Sequence, residues 1–153
     1  MKNYFILVCL IIGTPALAGE ACRHDPSTFR CVKYVKNYDA DTITFDIDGI
    51  HPLIGSRIAI RLAGVDSPEI KTKDICEKKM AYQARDFVRG LMKRAKRIDL
   101  VNVERGKYFR IVAEVLVDGQ ALSLKLLKHG FAYAYKGGTK RTINWCKSMK
   151  EGL

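Results

Sequence analysis

The chain has 153 residues, with 27 Lys and Arg against 16 Asp and Glu, a net charge of +11, and 48% hydrophobic with 28% charged residues. Those proportions belong to a folded globular domain and exclude a disordered or collagen-like chain. The length suits one domain with a sizeable core, and the charge calls for an anionic partner, either nucleic acid or a membrane surface.

In chain order, residues 1–18 read as a secretory signal. Lys2 gives the positive start, Tyr4 to Ile12 is apolar, and Pro15-Ala16-Leu17-Ala18 ends in an A-x-A cleavage pattern. Cleavage after Ala18 removes Lys2 as its only charge and leaves 26 basic and 16 acidic groups, or +10. No later stretch approaches the ~18–20 apolar residues of a membrane-spanning helix. The mature protein is therefore expected to be exported, periplasmic or secreted, monomeric and without stable membrane association. Cys22, Cys31, Cys76 and Cys146 remain after cleavage, an even set in an oxidising compartment. Two disulfides are the natural reading. The rival zinc site lacks any Cys/His cluster at ligand spacing. Cys22 and Cys31 lie nine apart in a loop-like segment, which favours Cys22–Cys31 with Cys76–Cys146.

An N-terminal extension, residues 19–31, leads into a domain over 32–153. Phe29 to Tyr38, Thr42 to Ile47 and Arg57 to Leu62 alternate as strands, the last two with Ile43, Phe45, Ile47 and Ile58, Ile60, Leu62 on one face. Asp39-Ala40-Asp41 is a tight turn, and Asp48-Gly49 opens a longer connection through His51, Pro52 and Gly55. The period changes to helical over about Asp74 to Lys96, where Met80, Ala84, Phe87, Leu91 and Ala95 recur. Arg97 to Val103 and Tyr108 to Val117 are two further strands, joined through Glu104-Arg105-Gly106-Lys107. A helix over Gln120 to His129, with Leu122, Leu126 and Leu127 inward, ends at Gly130. The tail carries Trp145 and Cys146 and has room for a short helix. Strands in this order, with a helix between the third and fourth, suit an α+β chain built on a five-stranded OB-fold barrel, closed and of the kind that binds oligonucleotides. An α+β sandwich would share the same element list.

Both signs of charge meet in Arg61-Leu-Ala-Gly-Val-Asp66-Ser67-Pro68-Glu69, where a strand delivers an arginine and breaks at Gly64 into a loop with two carboxylates. Asp39 reads as a turn former. Asp41 differs: if the strand after it neighbours the one before Asp66, two carboxylates and a loop carbonyl form a hard-oxygen site for Ca²⁺ or Mg²⁺. Arg110 alternates with Ile111 and Ala113 and can share the open face of Arg61. Two guanidinium groups beside such a cation suit a phosphate, and Glu69 is placed to orient or deprotonate an attacking water. His24, His51 and His129 lie outside these motifs and read as structural or solvated. Trp145 reads as packing, or, if exposed, as a surface for a base.

Asp39-Ala-Asp41-Thr42, the run Arg61 to Glu69 and Lys107-Tyr-Phe-Arg110, in this order and spacing, closely resemble the staphylococcal nuclease-like (thermonuclease) family, over roughly Val32 to Tyr135. The R-x-x-x-x-D-[ST]-P-E run is the specific part. The resemblance implies an OB-fold, Ca²⁺-dependent phosphodiesterase cutting DNA and RNA to leave 3′-phosphate ends. By matching positions, Asp41, Asp66 and the Ser67 carbonyl would bind calcium, and Arg61, Glu69 and Arg110 would be catalytic. Lys107 and Tyr108 would contact the neighbouring phosphate, and Tyr135, less securely Tyr133, would line the nucleotide pocket. Ala40 and Phe109 stand where the family commonly has glycine, and alanine would strain the turn that presents Asp41 if that position needs positive φ. The stretch from Phe131 to Lys136 is shorter than in the best-known member. The extension and the cysteines resemble a Gram-negative exported branch. The alternatives are a non-catalytic OB-fold module binding single-stranded nucleic acid and a cationic, disulfide-stapled envelope protein. Glu69 and the paired arginines argue against the first, and the second leaves the motifs unexplained.

Overall fold

In the computed structural model, which describes residues 21–150, the alternating segments become strands and the segment of helical period becomes one long helix. The signal expected over residues 1–18 lies outside the described residues. The strands are β1 (Thr28–Phe29), β2 (Lys33–Asn37), β3 (Thr42–Asp46), β4 (Ile58–Leu62), β5 (Val65–Asp66), β6 (Ile98–Arg105), β7 (Ile111–Val117), β8 (Gln120–Ala121) and β9 (Tyr133–Ala134). The helices are α1 (Pro52–Gly55), α2 (Ile75–Arg94), α3 (Leu122–Lys128) and α4 (Trp145–Lys150). The connection expected as an irregular loop through Pro52 thus holds one helical turn, begun by the His51 ring accepting the Leu53 amide.

One sheet runs in the order β1-β6-β7-β4-β3-β2, with β8 added to β7, and β5 pairs separately with β9. Its pairs are antiparallel except β4 with β7. The five longer strands stand in an order compatible with an OB-like fold, but the expected closed barrel is not formed: the sheet is open. The reason is local. The short β1 occupies the free edge of β6, pairing Thr28 with Val101 and Phe29 with Leu100. Cys31, at φ 54°, then turns the chain, and its amide is taken by the Asp99 carboxylate at 2.8 Å. The backbone bond from Val32 N to Ile98 O, 2.9 Å, spans the remaining gap.

Ile43, Phe45, Ile60, Leu62, Leu100, Val115, Leu122 and Leu126 form the core, each fully or almost fully buried. Each such side chain contributes about 1.5–3 kcal/mol. Helix α2 lays Ala84, Val88 and Met92 onto it and buries Met80 and Ala81 along the same side, a stripe at three- and four-residue spacing. Asp74 caps this helix by accepting the Glu77 amide at 2.8 Å, and Lys93 and Arg94 sit favourably at its C-terminal end. Helix α3 ends as its glycine foretells. Gly130 has φ 63°, Phe131 N bonds Leu126 O at 2.9 Å, and Gly130 N bonds Leu127 O at 3.1 Å, a Schellman closure.

Cys22 is joined to Cys31, and Cys76 to Cys146. None of these four sulfurs is then free to hold zinc. Trp145 is buried and lies 6.5 Å from the Tyr133 ring, so it packs rather than offering a face to a base. The histidines are structural: the His24 ring bonds Asp48 O and accepts the Arg30 amide, and His129 packs on Phe87 at 4.6 Å. Among the described residues no helix is long and apolar enough to cross a membrane.

Candidate active site

Strand pairing brings the charged motifs together. In the β3–β4 ladder Thr42 lies opposite Arg61, and Leu62 N bonds Asp41 O at 2.8 Å, so Asp41 is held at the strand end beside the arginine. The chain reverses at Gly64, φ 75°, and β5 delivers Asp66 opposite Tyr133 of β9. The Arg61 guanidinium then bridges both carboxylates, Nη1 to Asp41 and Nη2 to Asp66. Asp41 also accepts the Ser67 amide at 2.7 Å, and Asp66 accepts the Tyr133 hydroxyl at 2.7 Å. Asp41 is 1% and Asp66 2% exposed.

Asp39 shapes the turn. Its carboxylate accepts the amides of Asp41 at 3.1 Å and Thr42 at 2.6 Å, while its carbonyl takes the Asn37 amide group at 2.7 Å. Ala40 is buried and is absent from the left-handed residues, so the strain expected of alanine there does not arise. Phe109 is the opposite case. It adopts φ 58°, directly after Tyr108 at φ 57°.

Electrostatics single out the carboxylates. Burial pushes Asp41 up to about 7, with the Asp39 charge adding to the effect, against the pull of Arg61 and the Ser67 bonds. Burial also acts on Asp66, but the bonds from Tyr133, Arg61 and Lys140 outweigh it and hold its carboxyl below the usual range. Tyr133 is pushed up to about 12 by burial and by the Asp66 charge that its hydroxyl faces. Asp39, Asp41 and Asp66 are all buried near Arg61, and Lys140 is a second cation on Asp66. The carboxylate oxygens of Asp41 and Asp66 are hard donors of the kind that could hold a divalent cation.

Glu69 stands just outside, with half of its side chain exposed, and Lys140 links it to the cluster: Nζ lies 2.6 Å from Glu69 Oε1 and 3.1 Å from Asp66 Oδ1. Glu77, in the first turn of α2, accepts the Glu69 amide at 3.1 Å and the Thr72 hydroxyl at 2.7 Å, fixing the loop against the helix start. Sequence reasoning did not single out Lys140. It reaches across more than 70 positions of chain, and the glycine pair before it is the one local sign of a special backbone. Tyr133 carries the bond to Asp66, whereas the Tyr135 hydroxyl donates to Gly138 O at 2.7 Å.

The remaining predicted residues sit on the turn between β6 and β7, where Lys107, Tyr108 and Arg110 are exposed. The β4–β7 register sets Val112 beside Arg61, so Arg110 is two residues upstream with the same strand parity. Its guanidinium lies 5.9 Å from the Tyr108 ring centre. A groove of about 780 Å³ opens along the sheet seam between Cys31 and Ile98, and its lining includes none of these residues.

Residues 59–149 match the family model described as staphylococcal nuclease homologue. The chain belongs to that family. The matched span holds Arg61, Asp66, Ser67, Glu69 and Arg110, and Asp41 precedes it, directly before the strand paired with β4. Comparison with curated proteins gives no match. Membership of this family suggests a nuclease-type function.

Proposed function

We propose that the protein is an exported, calcium-dependent endonuclease that hydrolyses phosphodiester bonds of DNA and RNA without preference for the sugar. The observation that carries this reading is the pair of buried carboxylates on one arginine, with an exposed glutamate beside them. Asp41, Asp66 and the Ser67 carbonyl are the ligands for Ca²⁺. When bound, the ion supplies positive charge to the phosphate oxygens.

The protein's own groups do the rest. Arg61 and Arg110 hold the scissile phosphate through paired N–H donors and offset the charge that grows on it. For Arg61 this means turning from the carboxylates toward the substrate. Glu69 takes a proton from the attacking water. The water oxygen bonds to phosphorus, the bond to the 5′ oxygen breaks, and that oxygen takes up a proton from solvent, so the products carry a 3′-phosphate and a 5′-hydroxyl. Lys107 and Tyr108 meet the neighbouring phosphate, and Tyr135 with Tyr133 lines the nucleotide pocket. Lys140 must leave Glu69 for that carboxylate to act. Its side chain is half exposed, so water can receive it. The paired cysteines suit an oxidising compartment, periplasm or medium, as in a Gram-negative exported branch of the family, and a monomer.

The test is incubation of the purified mature protein with plasmid DNA, single-stranded DNA and RNA in Ca²⁺ or in excess EGTA. Cleavage of all three in Ca²⁺, giving ends that a polymerase extends only after phosphatase treatment, is expected. Full cleavage in EGTA overturns the metal assignment, and none under any condition overturns the nuclease reading.

A further inference from the structure

The turn between β6 and β7 displays two large aromatic rings at a cost. Tyr108 and Phe109 are 84% and 83% exposed, and both occupy the left-handed region, at φ 57° and 58°. That conformation is uncommon outside glycine, and for a bulky residue it is a true outlier. The core has no use for either ring. Strain and exposed apolar surface at one place are retained where they serve a function.

The turn is also held firmly. Gly106 N bonds Arg110 O at 2.8 Å, and Arg110 N bonds Lys107 O at 3.3 Å. A Cβ at Gly106 would lie 2.6 Å from Val112 Cγ2, so only glycine lets the loop close onto β7. The rings are thus presented on a short, fixed platform, three or four residues upstream of Val112, the register partner of Arg61. Within the turn itself the charge has one sign. From Arg105 to Arg110 the chain holds three cations and no acid, with Arg105 5.7 Å from the centre of the Phe109 ring and Arg110 5.9 Å from that of Tyr108. Aromatic faces set among cations are the means by which proteins grip a single strand, rings stacking on bases while cations follow phosphates.

We infer that Phe109 is a stacking site for an unpaired nucleobase next to the phosphate that Arg61 and Arg110 hold, with Tyr108 beside it on the neighbouring phosphate. The inference rests on the proposed nuclease reading and deepens it: the favoured substrate is single-stranded, because bases within a duplex have no free face to offer. Phe109 here is a specificity-determining residue. It binds the strand and takes no part in breaking the bond.

The experiment compares binding, in Ca²⁺ and at fixed salt, of two single-stranded oligonucleotides with the same phosphates, one with every base and one abasic around its centre. Cleavage is blocked by phosphorothioates at every linkage of both strands. The wild type is expected to favour the base-bearing strand about tenfold, the order that one stacked base contributes. F109G, and separately F109L, should bring that ratio close to one. F109G should melt no earlier than the wild type, since glycine accepts φ 58° without strain. An unchanged ratio in F109G and F109L, or equal binding of both strands by the wild type, overturns the stacking site while leaving cleavage untouched. A clear fall in the melting temperature of F109G overturns it as well, since Phe109 would then be structural. Binding of neither strand by the wild type overturns the inference together with the nuclease reading.

Discussion

Glu69 and Arg110 are separable by substitution because neither supports the fold: both are exposed, at the rim of the buried carboxylates and on the turn before β7. Glu69→Gln keeps the side-chain shape and removes the base, so turnover should fall about 10²–10⁴-fold, the usual contribution of a positioned proton acceptor. Arg110→Ala removes a donor aimed at growing charge and should cost about 2.7–4 kcal/mol of transition-state stabilisation. Steady-state rates on a single-stranded oligonucleotide, with circular dichroism to confirm folding, measure both. A folded variant working at the normal rate would remove its residue from the mechanism. Asp41 is not a comparable test, because it is buried and its bonds to Arg61 and Ser67 tie two strands to the loop. Losing it leaves those partners unsatisfied and threatens the fold itself.

At the scale of elements, the bond between Cys76, early in α2, and Cys146, in α4, fastens the tail to the body across 70 positions. In the chain-entropy account a loop of that size is worth about 4 kcal/mol. The double variant Cys76→Ala/Cys146→Ala should lose close to that in urea unfolding, and a loss under about 1 kcal/mol would show the tail docked by other contacts. The β4 arginine, the β5 aspartate and the long amphipathic helix were legible in the sequence because each rests on a local pattern: alternation, a glycine break, a three-to-four-residue period. Lys140 and the Tyr133 bond to Asp66 were not, since contacts between segments so far apart leave no periodic trace. The open sheet was not legible either. It depends on two residues of β1 and one left-handed cysteine, too little chain for any pattern to register.

For the whole molecule, a charge of +11 acts on a polyanion beyond the few groups that touch the cleaved bond. With Arg61, Arg110 and Lys107 each on a phosphate, the logarithm of affinity for a single strand should fall against the logarithm of salt with a slope near −2, at about −0.7 per contact. A flat profile in a salt titration of binding would point away from a backbone-reading site. The open sheet has a further consequence, for how one molecule meets another. A strand whose outer N–H and C=O groups lack a ladder is a template on which a second chain can assemble. Strand β2 is one such edge, and it carries exposed Lys33 and Lys36. A copy arriving edge to edge must bring the same lysines against them. The seam that failed to close is thus guarded by charge, and replacing both lysines with threonine should turn a well-behaved solution into one that self-associates with concentration.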